Sequence, residues 1–303
     1  MSELILHHFD WSPYAEKVRV LLGIKGLAWR SVQIPMISPK PDLTALTGGY
    51  RKTPVLQLGA DIYCDTSLIA RVLEARLPHP TLFPDGSSGA AYALAAWADR
   101  FFTAGAGLSM GLNDQLPADL VQDRREFFTH MDFDAFRAQA PHAFGQLLAN
   151  AALIEEQLGD GRMFLMGDRP GLADATAYYV TWMCRGFIAS ANDLFRPFAR
   201  LAAWEARVRD VGHGTRTEMD AADAIAIAKA ATPLPAGGVG ANDPSGLRAG
   251  QAVTVTPDDY GKVPVAGDLV TLDHLQVAVR RGDERAGEVV VHFPRLGYVI
   301  AAA

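Results

Sequence analysis

Three short stretches of the sequence combine the start of a helix or strand with side chains that could bind or activate a ligand. The first is Ser12-Pro13, which follows an extended segment and precedes apolar residues at helical spacing. Serine is a favoured helix N-cap and proline is tolerated at the first helical position, so the pair predicts a helix start. A hydroxyl at a helix N-terminus could also act on a bound group. This stretch alone leaves both roles open and favours the cap.

The other two stretches are "KTPVL" and "DTSLIARVLE". Pro54 begins a strand, and because proline cannot donate to a sheet ladder, this position predicts an edge or a turn, with a cis bond as one option. A cis bond would leave the backbone groups of Thr53 free to pair with an extended ligand. Asp65 and Thr66 begin a helix whose N–H groups could hold a carboxylate, and Asp65 could bind an amino group. The alternatives are a strand that simply starts with proline and an ordinary helix cap.

The hydrophobic spacing around these stretches predicts an α/β unit over residues 1–80. Its order is strand, helix, strand, connection, strand, strand and helix. The corresponding segments are 3–8, 13–24, 28–34, 53–58, 61–64 and 65–77, with a polar connection before the third strand. This order puts the two helix starts and the strand that begins with proline in one unit.

Two linkers, 78–89 and 231–246, divide the rest of the chain. Between them we expect an all-helical domain over residues 86–231, with no strand. Its predicted helices are 90–111, 119–130, 140–158, 172–191, 200–210 and 221–231. After the second linker, short valine-rich segments alternate with turn signals such as "DDYG" and "RRGDERAG". About five strands in so short a segment predict a small β-barrel-like module over residues 247–303.

Composition narrows the classes of partner. The formal net charge of −6 argues against a broad nucleic-acid or anionic-membrane surface. We see no secretory leader and no apolar run of spanning length, so we expect a cytoplasmic protein without a membrane partner. Cys64 and Cys184 are isolated in apolar patterns, which predicts buried thiols and neither a disulfide framework nor a zinc site. No metal-ligand spacing emerges elsewhere.

The first 230 residues resemble the cytosolic glutathione transferases. The resemblance rests on "SPYAEKVRVLLGIKGL", "RKTPVLQLGADIYCDTSLIARVLE" and "FLMGDRPGLADATAYY". It implies a thioredoxin-like N-terminal domain, an all-helical second domain, a homodimer and a role in detoxification. Residues 247–303 lie outside the resemblance. It also implies that Asp174 caps a core helix, although Gly171 stands where a Ser or Thr cap is common.

The resemblance also assigns residues to a glutathione site. Ser12 occupies the position of the catalytic Ser or Cys of the family. The resemblance implies glutathione as a co-substrate and implies no metal or bound redox cofactor. Serine cannot form a mixed disulfide as cysteine does, so conjugation is expected and thiol exchange should be weak. The residues implied for binding glutathione are Lys40, Lys52, Thr53, Pro54, Asp65 and Thr66.

The second substrate should be an apolar electrophile, bound between the two domains. Candidates for its pocket are Trp11, Tyr14, Phe101, Phe102, Met110 and Trp182, each of which could equally be a core residue. His7 and His8 lie on the first strand and are expected to be core-edge residues. The alternative to an enzyme is a non-catalytic binding or regulatory protein on the same scaffold, because a fold does not fix a function.

Overall fold

The computed structural model describes residues 2–86 and 88–303. The N-terminal domain contains β1 (Ile5–His8), α1 (Pro13–Ile24), β2 (Ala28–Gln33), α2 (Pro41–Thr47), β3 (Val55–Leu58), β4 (Asp61–Cys64) and α3 (Thr66–Arg76). Strand β1 pairs parallel with β2 and antiparallel with β3, which forms a hairpin with β4. The thioredoxin-like order predicted for this domain is confirmed, and the helix start at Pro13 follows the cap at Ser12.

A helical domain follows a short 3-10 turn at Pro84–Gly86. Its helices are α4 (Ser88–Asp99), α5 (Phe102–Gly111), α6 (Ala118–Phe127), α7 (Phe136–Gln157), α8 (Leu172–Phe187), α9 (Ala191–Phe195) and α10 (Ala199–Val211). Helix α8 is buried along most of its length and packs against α1, α4 and α5. The carboxylate of Asp174 accepts hydrogen bonds from the backbone N–H groups of Leu165 (2.8 Å) and Gly171 (2.9 Å), so this residue caps α8.

The structure corrects the expectation that residues 86–231 are all helical. Strand β5 (Thr215–Glu218) pairs parallel with β2 and forms the outer edge of the N-terminal sheet. Helix α11 (Ala221–Ala230) then packs against this sheet, where Ala224 contacts Ile5 and Val32. The segment after α10 therefore belongs to the sheet and not to the helical domain.

The C-terminal strands also differ from the expected barrel-like module. They are β6 (Gly238–Val239), β7 (Ala252–Pro257), β8 (Val265–Leu272), β9 (Gln276–Asp283), β10 (Gly287–Pro294) and β11 (Tyr298–Ala302). Strand β10 pairs parallel with β4, so the module continues the N-terminal sheet. The sheet runs in the order β11-β7-β8-β9-β10-β4-β3-β1-β2-β5, and β6 pairs with β8. We refer to residues 252–303 as the module.

The module and the N-terminal domain share one hydrophobic core. Leu46 on α2 and Ile62 on β4 pack in the same buried cluster as Val279 and Phe293 of the module. Cys64 also lies in this cluster and Cys184 in the core of the helical domain, and both are fully buried, as the sequence predicted. In the described part of the chain, no helix is long and apolar enough to cross a membrane.

Candidate functional site

A cavity of about 1170 Å³ lies between the N-terminal domain, the helical domain and the module. The two helix starts and the Pro54 strand start face this cavity, because β3, α1 and α3 end or begin at the same edge of the sheet. Every residue that the sequence assigned to glutathione lines it. They are Ser12, Lys40, Lys52, Thr53, Pro54, Asp65 and Thr66. The structure thus brings together residues from four separate segments of the chain.

Ser12 caps helix α1 and is only 3% exposed. Its Oγ accepts a hydrogen bond from the backbone N–H of Ala15 at 3.2 Å. A hydroxyl has one hydrogen to donate and two lone pairs to accept with. The cap uses a lone pair, so the Ser12 proton stays available to a group in the cavity. The cap and the chemical role, which the sequence left as alternatives, are therefore compatible.

The Thr53-Pro54 peptide bond is cis. The side chain of Thr53 also lines the cavity, and its buried Oγ1 has no hydrogen-bond partner among the described residues. A buried hydroxyl without a partner is uncommon in native proteins, and a ligand or a water molecule can supply the missing bond.

Asp65 is held in an unusual conformation at the start of α3. Its φ of 75° is rare for a residue other than glycine, and such strain is concentrated at ligand sites and turns. One carboxylate oxygen accepts hydrogen bonds from the N–H (2.9 Å) and Oγ (2.7 Å) of Ser67, and the other accepts from the hydroxyl of Tyr298 at 3.2 Å. Next to it, Thr66 Oγ1 accepts a hydrogen bond from Lys17 Nζ at 3.1 Å.

Cationic side chains are in excess in one part of the cavity lining, around Lys40. The carboxylate of Asp123 lies 2.7 Å from Arg51 and 2.5 Å from Arg124, and so pairs with both guanidinium groups. Lys40 lies 5.5 Å from the ring of Phe9, and the described residues give it no ion pair. Burial, helped by the charge of Arg124, lowers the pKa of Lys40 to about 8. The negative charge of a bound carboxylate would offset the repulsion between Lys40 and the neighbouring guanidinium groups.

Part of the cavity lining is aromatic. The ring of Tyr14 lies 4.9 Å from that of Phe102 and 5.0 Å from that of Tyr179. Burial raises the pKa of Tyr14 well above 10, so its phenol is protonated at neutral pH. Of the residues suggested for the electrophile pocket, Trp11, Tyr14, Phe102 and Met110 line the cavity.

Two predicted pocket residues are placed elsewhere. Phe101 packs against Trp97 with ring centroids 5.3 Å apart. Trp182 packs against Phe187, with centroids 6.1 Å apart, and lies near the guanidinium of Arg19. Neither is among the cavity-lining residues, so the core alternative describes both better. His7 and His8 are buried on β1 and are likewise outside the lining.

Comparison with known proteins explains this arrangement. Residues 6–81 match the family model of the glutathione S-transferase N-terminal domain, and residues 134–207 match the model of its C-terminal domain. A GST-like protein from Pseudomonas syringae is 40% identical over 99% of this chain and 100% of its own, with a TM-score of 0.81. This chain belongs to the glutathione S-transferase family. No curated protein matched it in the comparison.

More distant structures share the glutathione S-transferase fold. A glutathione S-transferase from Rhodospirillum rubrum F11 is 24% identical, with 68% of this chain and 87% of that chain covered and a TM-score of 0.53. FzlA from C. crescentus is also 24% identical, with 68% and 88% covered and a TM-score of 0.51. The Pseudomonas syringae protein, in contrast, matches over the module as well.

In this member of the family the module supplies cavity residues that the sequence did not reveal. Asp259, Tyr260 and Leu296 line the cavity together with the predicted residues, and Tyr298 reaches Asp65. The sequence "DDYG" predicts a turn, but no residue in it indicates which part of the molecule this turn contacts. Lys17, also missed, lies one helical turn beyond Pro13 in the quoted motif, a spacing that puts it on the same side of α1.

Proposed function

We propose that this protein is a glutathione transferase in which Ser12 stabilises the thiolate of bound glutathione for attack on an apolar electrophile. The observation that carries the proposal is the convergence of all seven predicted residues on one cavity, whose lining also includes the aromatic side chains of Tyr14 and Phe102. Family membership supports the same reaction class. The aromatic wall of Tyr14 and Phe102 favours an electrophile with apolar surface.

The free energy needed to stabilise the glutathione thiolate matches what the Ser12 hydroxyl and the N-terminus of α1 can supply. A free thiol titrates near ~8.5, and lowering its pKa to about 6.5–7 requires roughly 2–3 kcal/mol of thiolate stabilisation. A hydrogen bond to a charged acceptor contributes roughly 1.5–3 kcal/mol. The N-terminus of α1 adds roughly 0.3–1 kcal/mol. The Ser12 hydroxyl and the helix it caps are therefore sufficient together, and no general base has to be added.

The reaction that follows is a nucleophilic substitution or addition. The thiolate sulfur forms a bond to the electrophilic carbon, and in a substitution the leaving group departs with the electron pair of its bond. The Ser12 hydroxyl donates to the sulfur before the attack and itself forms no covalent bond. The thiol proton leaves to solvent when the thiolate forms.

The binding roles in the proposal are those that the family resemblance implies. The γ-glutamyl end of glutathione is assigned to Asp65 and Thr66, and the cysteinyl part to the backbone of Thr53. The glycine carboxylate is assigned to the cationic end, with Lys40 and Lys52. A small-molecule electrophile, a homodimer and a cytoplasmic role in detoxification belong to the same proposal.

Replacement of Ser12 tests the assignment. With 1-chloro-2,4-dinitrobenzene as electrophile, Ser12→Ala should lower kcat by about 100-fold or more, the range expected when a positioned catalytic group is lost. Because alanine is also a poor cap, Ser12→Gly is the sharper variant. Glycine at an N-cap costs only a few tenths of a kcal/mol, so a similar loss of rate there would be chemical and not structural.

Ser190→Ala is the matched control, since Ser190 is an exposed residue before α9 with no side-chain cap bond. Full turnover by Ser12→Gly would mean that Ser12 is not the catalytic group. A parent protein that binds glutathione but conjugates no electrophile would favour the alternative, a non-catalytic binding protein on this scaffold.

A further inference from the structure

The loop between β7 and β8, residues 258–264, lies inside the cleft and contacts both domains. Its Tyr260 ring packs against Phe127 and Phe128 of the helical domain, with centroids 5.3 and 5.0 Å apart. The N–H of Gly261 donates to the carbonyl of Phe127 at 3.2 Å. A Cβ on Gly261 would lie 2.4 Å from the Phe127 ring, so the loop is docked closely.

On its other side this loop reaches the glutathione site through Lys52. The ammonium of Lys52 lies 2.5 and 2.8 Å from the two carboxylate oxygens of Asp259, and 4.3 Å from the centre of the Tyr260 ring. It also lies 5.9 Å from the ring of Tyr298. All three partners belong to the module. The Lys52 side chain is 14% exposed, so little of it remains for other partners.

Asp259 is held in place by contacts that do not involve a ligand. One of its oxygens accepts a hydrogen bond from the backbone N–H of Tyr260 at 2.6 Å. Because the loop is also fixed against Phe127, Asp259 is positioned at Lys52 before any ligand binds. A ligand carboxylate that bound Lys52 would lie close to the carboxylate of Asp259. The two negative charges would repel each other.

These contacts have a consequence for the choice of thiol. We propose that Asp259 is a specificity-determining residue, which competes with the glycine carboxylate of glutathione for Lys52. The competition shifts the preference of the site toward thiols that carry a neutral group in place of the glycine carboxylate. A glutathione whose glycine is esterified or amidated is such a thiol. Lys40 then remains the cation open to a free carboxylate. This inference rests on the proposed function of the site.

The experiment compares two ligands and three proteins by calorimetry on the full chain. The ligands are glutathione and its glycine monoethyl ester, which differ at this end only. The proteins are the parent, Asp259→Asn and Asp258→Asn. Asp258 is the adjacent exposed carboxylate, forms no ion pair with Lys52 among the described residues and controls for the general loss of one negative charge.

Asp259→Asn should bind glutathione about fivefold more tightly than the parent does, the effect of freeing one partly exposed cation for a ligand carboxylate. Its affinity for the ester should change less than about twofold. The ratio of the two dissociation constants therefore shifts in Asp259→Asn and stays at the parent value in Asp258→Asn.

An unchanged ratio in Asp259→Asn would overturn the inference and leave the proposed function intact. The same holds if Asp258→Asn shifts the ratio equally, because the effect would then be general. Binding of glutathione by none of the three proteins would overturn the inference together with the proposed function.

Discussion

The hydroxyl of Tyr298 donates a hydrogen bond to the carboxylate of Asp65 at 3.2 Å, although the two residues are 233 positions apart in the chain. Because a phenol has a single proton, Tyr50, whose oxygen lies 2.8 Å from that of Tyr298, must be the donor in the second bond. Burial raises the pKa of both phenols well above 10, so both carry their protons. The last strand of the module therefore orients the residue proposed to hold the γ-glutamyl group.

Tyr298→Phe removes this bond and keeps the ring. Among the described residues, Ser67 would then be the remaining hydrogen-bond donor to the Asp65 carboxylate, so we expect the KM for glutathione to rise about three- to tenfold, with kcat changed less than about twofold. The unfolding free energy should fall by about 2 kcal/mol, because the buried Tyr50 hydroxyl loses its acceptor. Steady-state kinetics and urea unfolding measure the two effects. Tyr63→Phe is the control, since this phenol stacks on His292 outside the cavity. An unchanged KM in Tyr298→Phe would mean that Asp65 does not depend on the module.

Much of the N-terminal domain and of the site was predictable because its signals are local. The cap at Ser12, the strand start at Pro54 and the helix start at Asp65 each depend on a few neighbouring residues. Hydrophobic spacing then gives the element order, and the order fixes which ends of the elements meet. The bounds of α1, predicted as 13–24, agree with the structure for this reason.

Strand β5 was missed because its sequence carries no strand signal. Its four residues, "TRTE", are all exposed, so no alternation of apolar and polar residues marks them. The strand exists because β2 offers a free edge with which it can pair, from Ala28 opposite Thr215 to Ser31 opposite Glu218. Such an edge belongs to the tertiary structure and cannot be seen in a sequence window.

The position of the module was missed for a similar reason. Alternating valines predicted its strands, but not that β10 would pair with β4, where Val291 lies opposite Ile62. The register of two strands so far apart depends on the shared core and not on local turns. Without that pairing, neither Asp259 nor Tyr298 could be assigned to the site.

Ligand binding should weaken in mild alkali because of Lys40. Burial and the charge of Arg124 lower the pKa of this ammonium to about 8, so its charge is lost as the pH rises through that value. S-methylglutathione is the suitable probe because it has no thiol to titrate. Its dissociation constant should rise about fourfold between about pH 7 and 8.5, which follows the protonated fraction of Lys40.

Lys40→Arg provides the control for this titration. A guanidinium stays charged throughout this range, so the dissociation constant of the variant should stay nearly flat over the same pH interval. Calorimetry in buffers of matched ionic strength measures both proteins. If Lys40→Arg loses affinity for S-methylglutathione in alkali as the parent does, another group is responsible for the titration. Lys40 would then not bind the glycine carboxylate.

The stability of the fold should depend on pH through the buried histidine of β1. Burial lowers the pKa of His7 from its ordinary value of about 6.5 to about 4, although His7 Nε2 lies 2.8 Å from Gln57 Oε1. As the pH falls from about 6.5 to 4, the unfolded chain takes up a proton that the folded chain does not, so stability is lost in that window. At about pH 4.5 the loss from His7 should reach about 2.5 kcal/mol.

His7→Gln tests this directly, because glutamine does not titrate and can still donate to Gln57. Urea unfolding of the variant between about pH 7 and 4.5 should show about 2.5 kcal/mol less acid destabilisation than the parent. Part of the loss of stability in acid should remain in this variant, because burial also lowers the pKa of His8 to about 3. His142→Gln changes an exposed histidine on α7 and should follow the parent at every pH. If His7→Gln loses stability in acid as steeply as the parent, His7 is not a neutral buried group, and the acid sensitivity of the sheet has another origin.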